Sequence, residues 1–129
     1  MMDYTQLTDD ELRRKVLELM GYYVEGNGAY FWLENYHKEL KGDVESTEAE
    51  AWQQAPDPLT DANVYMGLVD EMWVMQPIDD CRDVVMMRDK FTGRWYMEAP
   101  NKEGMAFADD GLTLGRAVCE VFCQVKEQK

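Results

Sequence analysis

The sequence predicts an α+β fold, a layered α-β-α sandwich that forms a single domain over residues 1–129. Apolar residues recur at helical spacing in three stretches, at about 8–20, 60–76 and 112–126. A stretch at about 83–108 instead has the strand-and-turn pattern of a three-stranded antiparallel meander. Because an antiparallel sheet must cover its apolar face, this order of elements predicts helices packed on a sheet.

The first helix has clear boundary signals. Thr8 and Glu11 form the capping-box pattern of a helix N-terminus. Gly21 follows the last apolar residue and suits the left-handed conformation that ends many helices. One apolar stripe lies between these signals, at Leu12, Val16, Leu19 and Met20. The pattern predicts an amphipathic helix that lies on a core.

A hairpin is expected after this helix. A Gly-Asn-Gly turn at residues 26–28 separates two apolar runs, 22–24 and 29–33. The three consecutive aromatic residues at 30–32 favour packing under a loop, with a ligand platform as the alternative.

A long acidic loop is expected at about 34–58, with a helical turn around residues 47–52. Loops of this length within a domain are often functional. His37, the single histidine, lies near its start. Because one histidine provides neither a catalytic triad nor a metal-binding set, we expect His37 to have a surface role.

Two prolines, Pro58 and Pro77, delimit a central helix at about 60–76, whose N-terminus Thr60 or Asp61 can cap. Apolar residues cover about half of its surface, so we expect it to be the most buried helix. The functional alternative is an adaptable binding groove formed by Met66, Met72, Trp73 and Met75.

The predicted meander consists of three runs, 84–87, 94–98 and 105–108, joined by glycine-containing turns at 89–93 and 100–104. A last helix follows it. The apolar face of that helix is formed by Leu114, Val118, Val121, Phe122 and Val125.

Three short motifs occur in order along the chain. Residues 12–21 form a helix that ends in Met-Gly, residues 58–61 read PLTD before the helix that carries Trp73, and residues 106–117 include AFAD and LTLGRA. Together these motifs resemble the phage ABA-sandwich domain family. The resemblance implies a small phage or prophage accessory protein with an α-β-α fold, and it supplies no catalytic residues. The acidic residues 43–50 have no counterpart in the family pattern.

The formal net charge of −13 restricts the partners. It argues against direct binding to nucleic acid or to an anionic membrane, and it favours a partner with a basic surface. No Lys or Arg occurs between Lys41 and Arg82, although acids are frequent there. No apolar run approaches the roughly 18 residues that cross a bilayer. The polar N-terminus is not a signal peptide, so we expect a cytoplasmic protein, in the host bacterium if phage-encoded.

No catalytic chemistry is indicated. The sequence has no phosphate-binding glycine loop, no hydrolase or metalloprotease motif and no zinc-spaced Cys/His set. Cys81, Cys119 and Cys123 include no CxxC pair, so we expect reduced cysteines. We therefore expect neither an enzyme nor a bound metal or cofactor.

The sequence favours an interaction protein, an acidic inhibitor of a host defence protein that handles nucleic acid. Its acidic surface is assigned to Asp43, Glu45, Glu48, Glu50, Asp57, Asp79 and Asp80. The alternative is a small-ligand or nucleotide-binding module that uses Tyr30, Trp32, Trp52 and Arg94. A virion or assembly component, with a homo-oligomeric surface, is the third function class.

Overall fold

The structure, a computed structural model, describes residues 4–74, 84–101, 104–111 and 113–127. It confirms the α+β class. The elements in chain order are a 3₁₀ helix (Tyr4–Gln6), α1 (Asp9–Leu19), β1 (Tyr22–Asn27), β2 (Tyr30–Asn35), β3 (Leu40–Lys41), α2 (Glu48–Trp52), α3 (Ala62–Val74), β4 (Val85–Arg88), β5 (Trp95–Asn101), β6 (Gly104–Gly111) and α4 (Leu114–Glu127). The predicted end of the central helix, at residues 75–76, lies outside the described residues.

The helix N-termini follow the sequence signals. At α1, the Glu11 amide donates to Thr8 Oγ1 at 3.2 Å and the Thr8 amide donates to Glu11 Oε1 at 3.0 Å, which completes a capping box. Hydrogen bonding to Thr8 lowers the pKa of Glu11, and the bond from the Thr8 backbone has the larger effect. At α3, Asp61 Oδ1 accepts from the Asn63 amide at 3.0 Å. The cap is therefore Asp61, one of the two residues predicted for it.

The first sheet is antiparallel, in the order β1-β2-β3. Tyr22 pairs with Asn35 at one end of β1 and β2, and Asn27 pairs with Tyr30 at the other. The hairpin turn is shorter than predicted because only Gly28, with a φ of +64°, needs the left-handed region. The rest of the predicted turn belongs to β1.

The stretch predicted as a long loop at about 34–58 contains two elements, β3 and α2. Thr47 caps α2, because its Oγ1 accepts from the Glu50 amide at 3.2 Å. The helical turn expected at residues 47–52 is therefore present.

The second sheet is also antiparallel, in the order β4-β5-β6. Met86 pairs with Met97 between β4 and β5, and Met97 pairs with Ala108 between β5 and β6. The register of β5 and β6 shifts between Trp95 and Met97, where β6 has one extra residue.

The most buried helix is α4, so the prediction that assigned this role to the central helix is wrong. α4 packs on β5 and β6 as well as on α1 and α3. Its buried residues lie all around the helix: Gly115, Ala117, Val118, Cys119, Glu120, Val121, Phe122, Cys123 and Val125. In α3, Leu68, Val69 and Met72 are buried, whereas Met66 remains 38% exposed. The apolar arc of α3 is therefore wider than the surface that neighbouring elements cover, and part of it remains exposed to solvent.

Arg116 fastens the N-terminal segment to α4. Its Nη2 donates to the carbonyl oxygens of Tyr4 at 3.2 Å and Leu7 at 2.7 Å, and its Nη1 lies 2.7 Å from Asp9 Oδ1. Its Nε donates at 2.9 Å to Glu120 Oε2, a carboxylate that is fully buried. Burial lowers the pKa of Arg116, but Asp9 and Glu120 outweigh it and raise the pKa overall.

Candidate functional site

Residues 43–50, hereafter the acidic segment, are held beside β2 by backbone pairing. The Gly42 amide donates to the Leu33 carbonyl at 2.7 Å. Glu45 and Phe31 then exchange two backbone hydrogen bonds, at 2.7 and 2.9 Å. This segment therefore extends the edge of the first sheet past β3.

Gln54, which follows α2, fixes the acidic segment from the other side. Its Nε2 donates to the Asp43 carbonyl and to Glu45 Oε1, both at 2.9 Å, and its Oε1 accepts from the Asp43 amide at 2.8 Å. Near α2, Glu50 Oε1 accepts from Thr47 Oγ1 at 2.9 Å and from Ser46 Oγ at 3.2 Å. The carboxylates of Glu45 and Glu50 are therefore positioned by neutral donors.

The four carboxylates of the acidic segment form no ion pair with the cations that the structure describes. Among the described residues, none of the ion pairs involves Asp43, Glu45, Glu48 or Glu50. Asp43, Glu48 and Glu50 are exposed, and Glu45 is half-buried. Four cations that lie elsewhere are each paired with a carboxylate: Arg13, Lys15, Arg116 and Lys126.

Of the other acids assigned to this surface, Asp57 has a local structural role. Its Oδ1 accepts from the Leu59 amide at 3.0 Å, and its Oδ2 accepts from Thr60 Oγ1 at 2.9 Å. Arg13 lies 3.9 Å from the same carboxylate. Asp57 thus shapes the turn before α3 and, unlike the acids of the acidic segment, forms an ion pair among the described residues. Asp79 and Asp80 lie outside the described residues.

The solvent side of the first sheet carries aromatic and acidic side chains. Pairing of Tyr23 with Glu34 and of Glu25 with Trp32 places these four residues on one face, together with Tyr30. Tyr36 stacks on Tyr23 with ring centroids 4.2 Å apart, and Lys41 Nζ lies 5.4 Å from the centre of the Trp32 ring. Tyr30 and Tyr36 are 58% and 75% exposed.

The ionisation of Tyr23 reflects this environment. Desolvation raises its pKa, and the carboxylates of Glu34 and Glu25 raise it further. Tyr23 therefore remains a neutral hydrogen-bonding group on this face.

The four residues of the predicted ligand site do not come together. Tyr30 and Trp32 lie on the solvent side of the first sheet, but Trp52 packs on the opposite face in a cluster with Leu17 and Leu33. Trp52 is only 6% exposed, and the Arg14 guanidinium covers its ring at 4.2 Å. Arg94 precedes β5 in the second sheet. Trp52 ends α2, which packs on the opposite face of the sheet from Tyr30 and Trp32, so the predicted grouping of these aromatic residues with Arg94 does not form.

Sequence reasoning missed Gln54, Tyr23 and Tyr36. The two tyrosines have a detectable signal, because period-2 alternation along β1 and β2 predicts which aromatic side chains share a face. Gln54 has no such signal, since its role depends on the approach of α2 to the segment after β3. Hydrogen bonds of this kind join positions that only tertiary packing brings together.

Cys119 and Cys123 are buried on α4, and Cys119 Sγ lies 3.4 Å from the Pro58 carbonyl oxygen. Burial raises the pKa of both thiols, that of Cys123 to about 12. In the part of the chain that the structure describes, no group of three or more His, Cys, Asp and Glu side chains could hold a metal ion.

We expect Cys119 and Cys123 to react with a thiol reagent only after unfolding, because both thiols are buried and protonated at neutral pH. In a Cys81→Ser background, the labelling rate at pH 8 should follow the unfolded fraction as denaturant is added. Full labelling of the native protein within minutes would contradict this expectation.

Because the folded-state pKa is raised, the two thiols contribute stability below about pH 9 that is lost as the pH rises towards 12.

No protein-family model matches the chain, and no curated protein or solved structure matches it. Within the described ranges, no helix is both long enough and apolar enough to cross a membrane.

Proposed function

We propose that this protein is an interaction protein that binds a basic surface of a partner protein through the acidic segment. The observation that carries the proposal is that Asp43, Glu45, Glu48 and Glu50 form no ion pair with another described residue. Carboxylates of this kind attract a cationic partner and fix its orientation. The net charge of −13 adds to the attraction at a distance.

Preorganisation supports the proposal. Backbone pairing with Phe31, the hydrogen bonds of Gln54 and the Thr47 cap hold the acidic segment in one conformation before any partner binds. A segment that is already ordered loses less conformational entropy on association, so more of its interaction energy becomes affinity.

The neighbouring aromatic residues support the same surface. Tyr30 and Trp32 belong to β2, the strand that pairs with Glu45. Aromatic side chains are enriched among the residues that dominate protein–protein affinity. We propose that carboxylates of the acidic segment and aromatic rings of β2 contact the partner together.

We further propose that the partner handles nucleic acid, because such proteins have basic grooves that bind phosphates. The acidic segment would occupy that groove in place of nucleic acid and inhibit the partner. Inhibition of a host defence protein by a phage or prophage accessory protein is the biological form of this proposal, and it rests on the resemblance to the phage family.

Capture from bacterial lysate tests the proposal. We expect the immobilised protein to retain a basic, nucleic-acid-binding protein at about 0.1 M salt and to release it at about 1 M salt, where the Debye length falls to roughly 3 Å. Added double-stranded DNA should compete for the retained protein. Retention that DNA leaves unchanged would contradict binding at a nucleic-acid groove.

A further inference from the structure

The β4–β5 hairpin ends in a firmly structured turn. Asp89 Oδ1 accepts from the amides of Phe91 at 2.8 Å and Thr92 at 3.3 Å. The Asp89 amide donates to the Arg94 carbonyl at 2.9 Å, and the Gly93 amide donates to the Asp89 carbonyl at 2.8 Å. Gly93 has a φ of +73°, which favours glycine at this position. The side chains around the turn are therefore presented from a fixed backbone.

Residues of this hairpin line an open cavity of about 500 Å³. Besides Asp89, it is lined by Met87, Arg88, Thr92, Arg94, Trp95 and Tyr96. Small-molecule sites commonly have volumes of roughly 300–1,000 Å³ and combine apolar walls with a few polar groups. Two aromatic rings and two guanidinium groups give this cavity that composition.

The hairpin is basic although the protein is strongly acidic. Residues 88–94 contain Arg88, Lys90 and Arg94 and a single acid, Asp89, whose Oδ1 accepts the two turn amides. The Arg88 guanidinium lies 5.6 Å from the centre of the Trp95 ring, and its Nε donates to the Gly93 carbonyl at 3.3 Å. The Arg94 side chain is exposed and has no ion pair or side-chain hydrogen bond with another described residue.

We propose that this cavity binds a planar organic phosphate of the mononucleotide class. Guanidinium groups match the geometry of phosphate oxygens, and Arg94 has its donors available for them. Met87 and Tyr96 pair across the two strands and therefore share one face of the hairpin, whereas Trp95 pairs with Arg88 on the other face. The Tyr96 ring is therefore the aromatic face on which a base would stack. A phosphate ion alone would leave the apolar wall, which includes Met87, without a contact.

The cavity differs from the ligand site that the sequence predicts, since only Arg94 belongs to both. It is also separate from the acidic segment, which borders the first sheet, whereas the hairpin belongs to the second sheet. Binding at the hairpin can therefore be tested independently of the proposed protein partner.

A titration with adenosine 5′-monophosphate, followed by amide chemical shifts, tests the proposal. We expect a Kd below about 1 mM and shifts that cluster at residues 87–96. Adenosine and inorganic phosphate should each bind at least about tenfold more weakly, because each lacks one of the two recognised groups. A Kd above about 10 mM, or shifts confined to other residues, would overturn the proposal.

Variants of one hairpin separate a specific contact from general charge. Arg94→Gln removes an exposed guanidinium that has no ion pair or side-chain hydrogen bond with another described residue, and we expect it to raise the Kd about tenfold or more. Lys90→Gln removes the same charge from a residue that does not line the cavity, and it should change the Kd less than about threefold. Equal changes in Kd for the two substitutions would show that only the positive charge of the hairpin matters, and they would overturn the assignment of Arg94.

Discussion

Gly115→Ala is expected to lower the free energy of unfolding by about 3 kcal/mol and Tm by roughly 10 °C. A Cβ at Gly115 would lie 1.9 Å from the Leu59 carbonyl oxygen and 2.7 Å from the Leu59 carbonyl carbon. Both atoms belong to the backbone, so no side-chain rotation relieves the clash. Either α4 or the segment before α3 must move, which disrupts the packing of the most buried helix.

Gly67→Ala in α3 is the matched control. Apart from its chain neighbours and the nearby backbone of α3, no atom of the described residues lies within 4 Å of a Cβ at Gly67, and the residue is exposed in a helix. Because alanine is the better helix former, this substitution should raise the free energy of unfolding by about 0.5–1 kcal/mol. Denaturant titration of both variants measures the two opposite signs. A Gly115→Ala protein as stable as the wild type would refute the close approach of α4 to Leu59.

Arg116→Leu is expected to cost about 3–5 kcal/mol, because it takes the guanidinium away from the buried carboxylate of Glu120. It also removes the donors that fasten the carbonyls of Tyr4 and Leu7 to α4. Arg116→Lys should recover only part of the loss, because an ammonium group cannot reach this set of acceptors in the fork geometry of arginine.

A double variant identifies the cause of the loss. Arg116→Leu with Glu120→Leu should be more stable than Arg116→Leu alone, because no carboxylate then remains buried beside the lost cation. Lys126→Leu is the control, since Lys126 pairs at 2.7 Å with the more exposed Glu71 and should cost less than about 1 kcal/mol. Equal Tm values for the two single variants would contradict the role assigned to Arg116.

The sequence predicted those parts of the fold that depend on local interactions. Thr8 and Glu11 are three residues apart, and a capping box needs only that spacing. Gly28 likewise marks the hairpin turn through its own backbone preference. Signals of this kind do not depend on which elements become neighbours in space.

The central position of α4 could not be predicted in the same way. Both the central helix α3 and the last helix α4 have a wide apolar arc, and the burial of each depends on how many elements pack against it. Gly115 permits backbone contact with Leu59, and the carbonyl groups that Arg116 binds lie over 100 residues away along the chain. Such contacts follow from the tertiary fold, which apolar periodicity alone does not define.

The charge pattern along the chain can be compared with the ion pairs of the structure. No Lys or Arg occurs between Lys41 and Arg82, and among the described residues Asp43, Glu45, Glu48 and Glu50 form no ion pair. Asp57 differs because Arg13, from α1, approaches it in space. Charge along the chain therefore indicates a surface, but cations from other elements decide which acids belong to it.

Binding through the acidic segment is tested most directly by two charge-matched variants, compared for retention of the heparin-binding fraction of a bacterial lysate. Asp43→Asn with Glu48→Gln removes two charges from the acidic segment, and Glu18→Gln with Asp70→Asn removes two exposed charges elsewhere. We expect the first variant to retain about tenfold less protein at about 0.1 M salt, and the second to behave like the wild type. Equal retention by the two variants would contradict binding through the acidic segment.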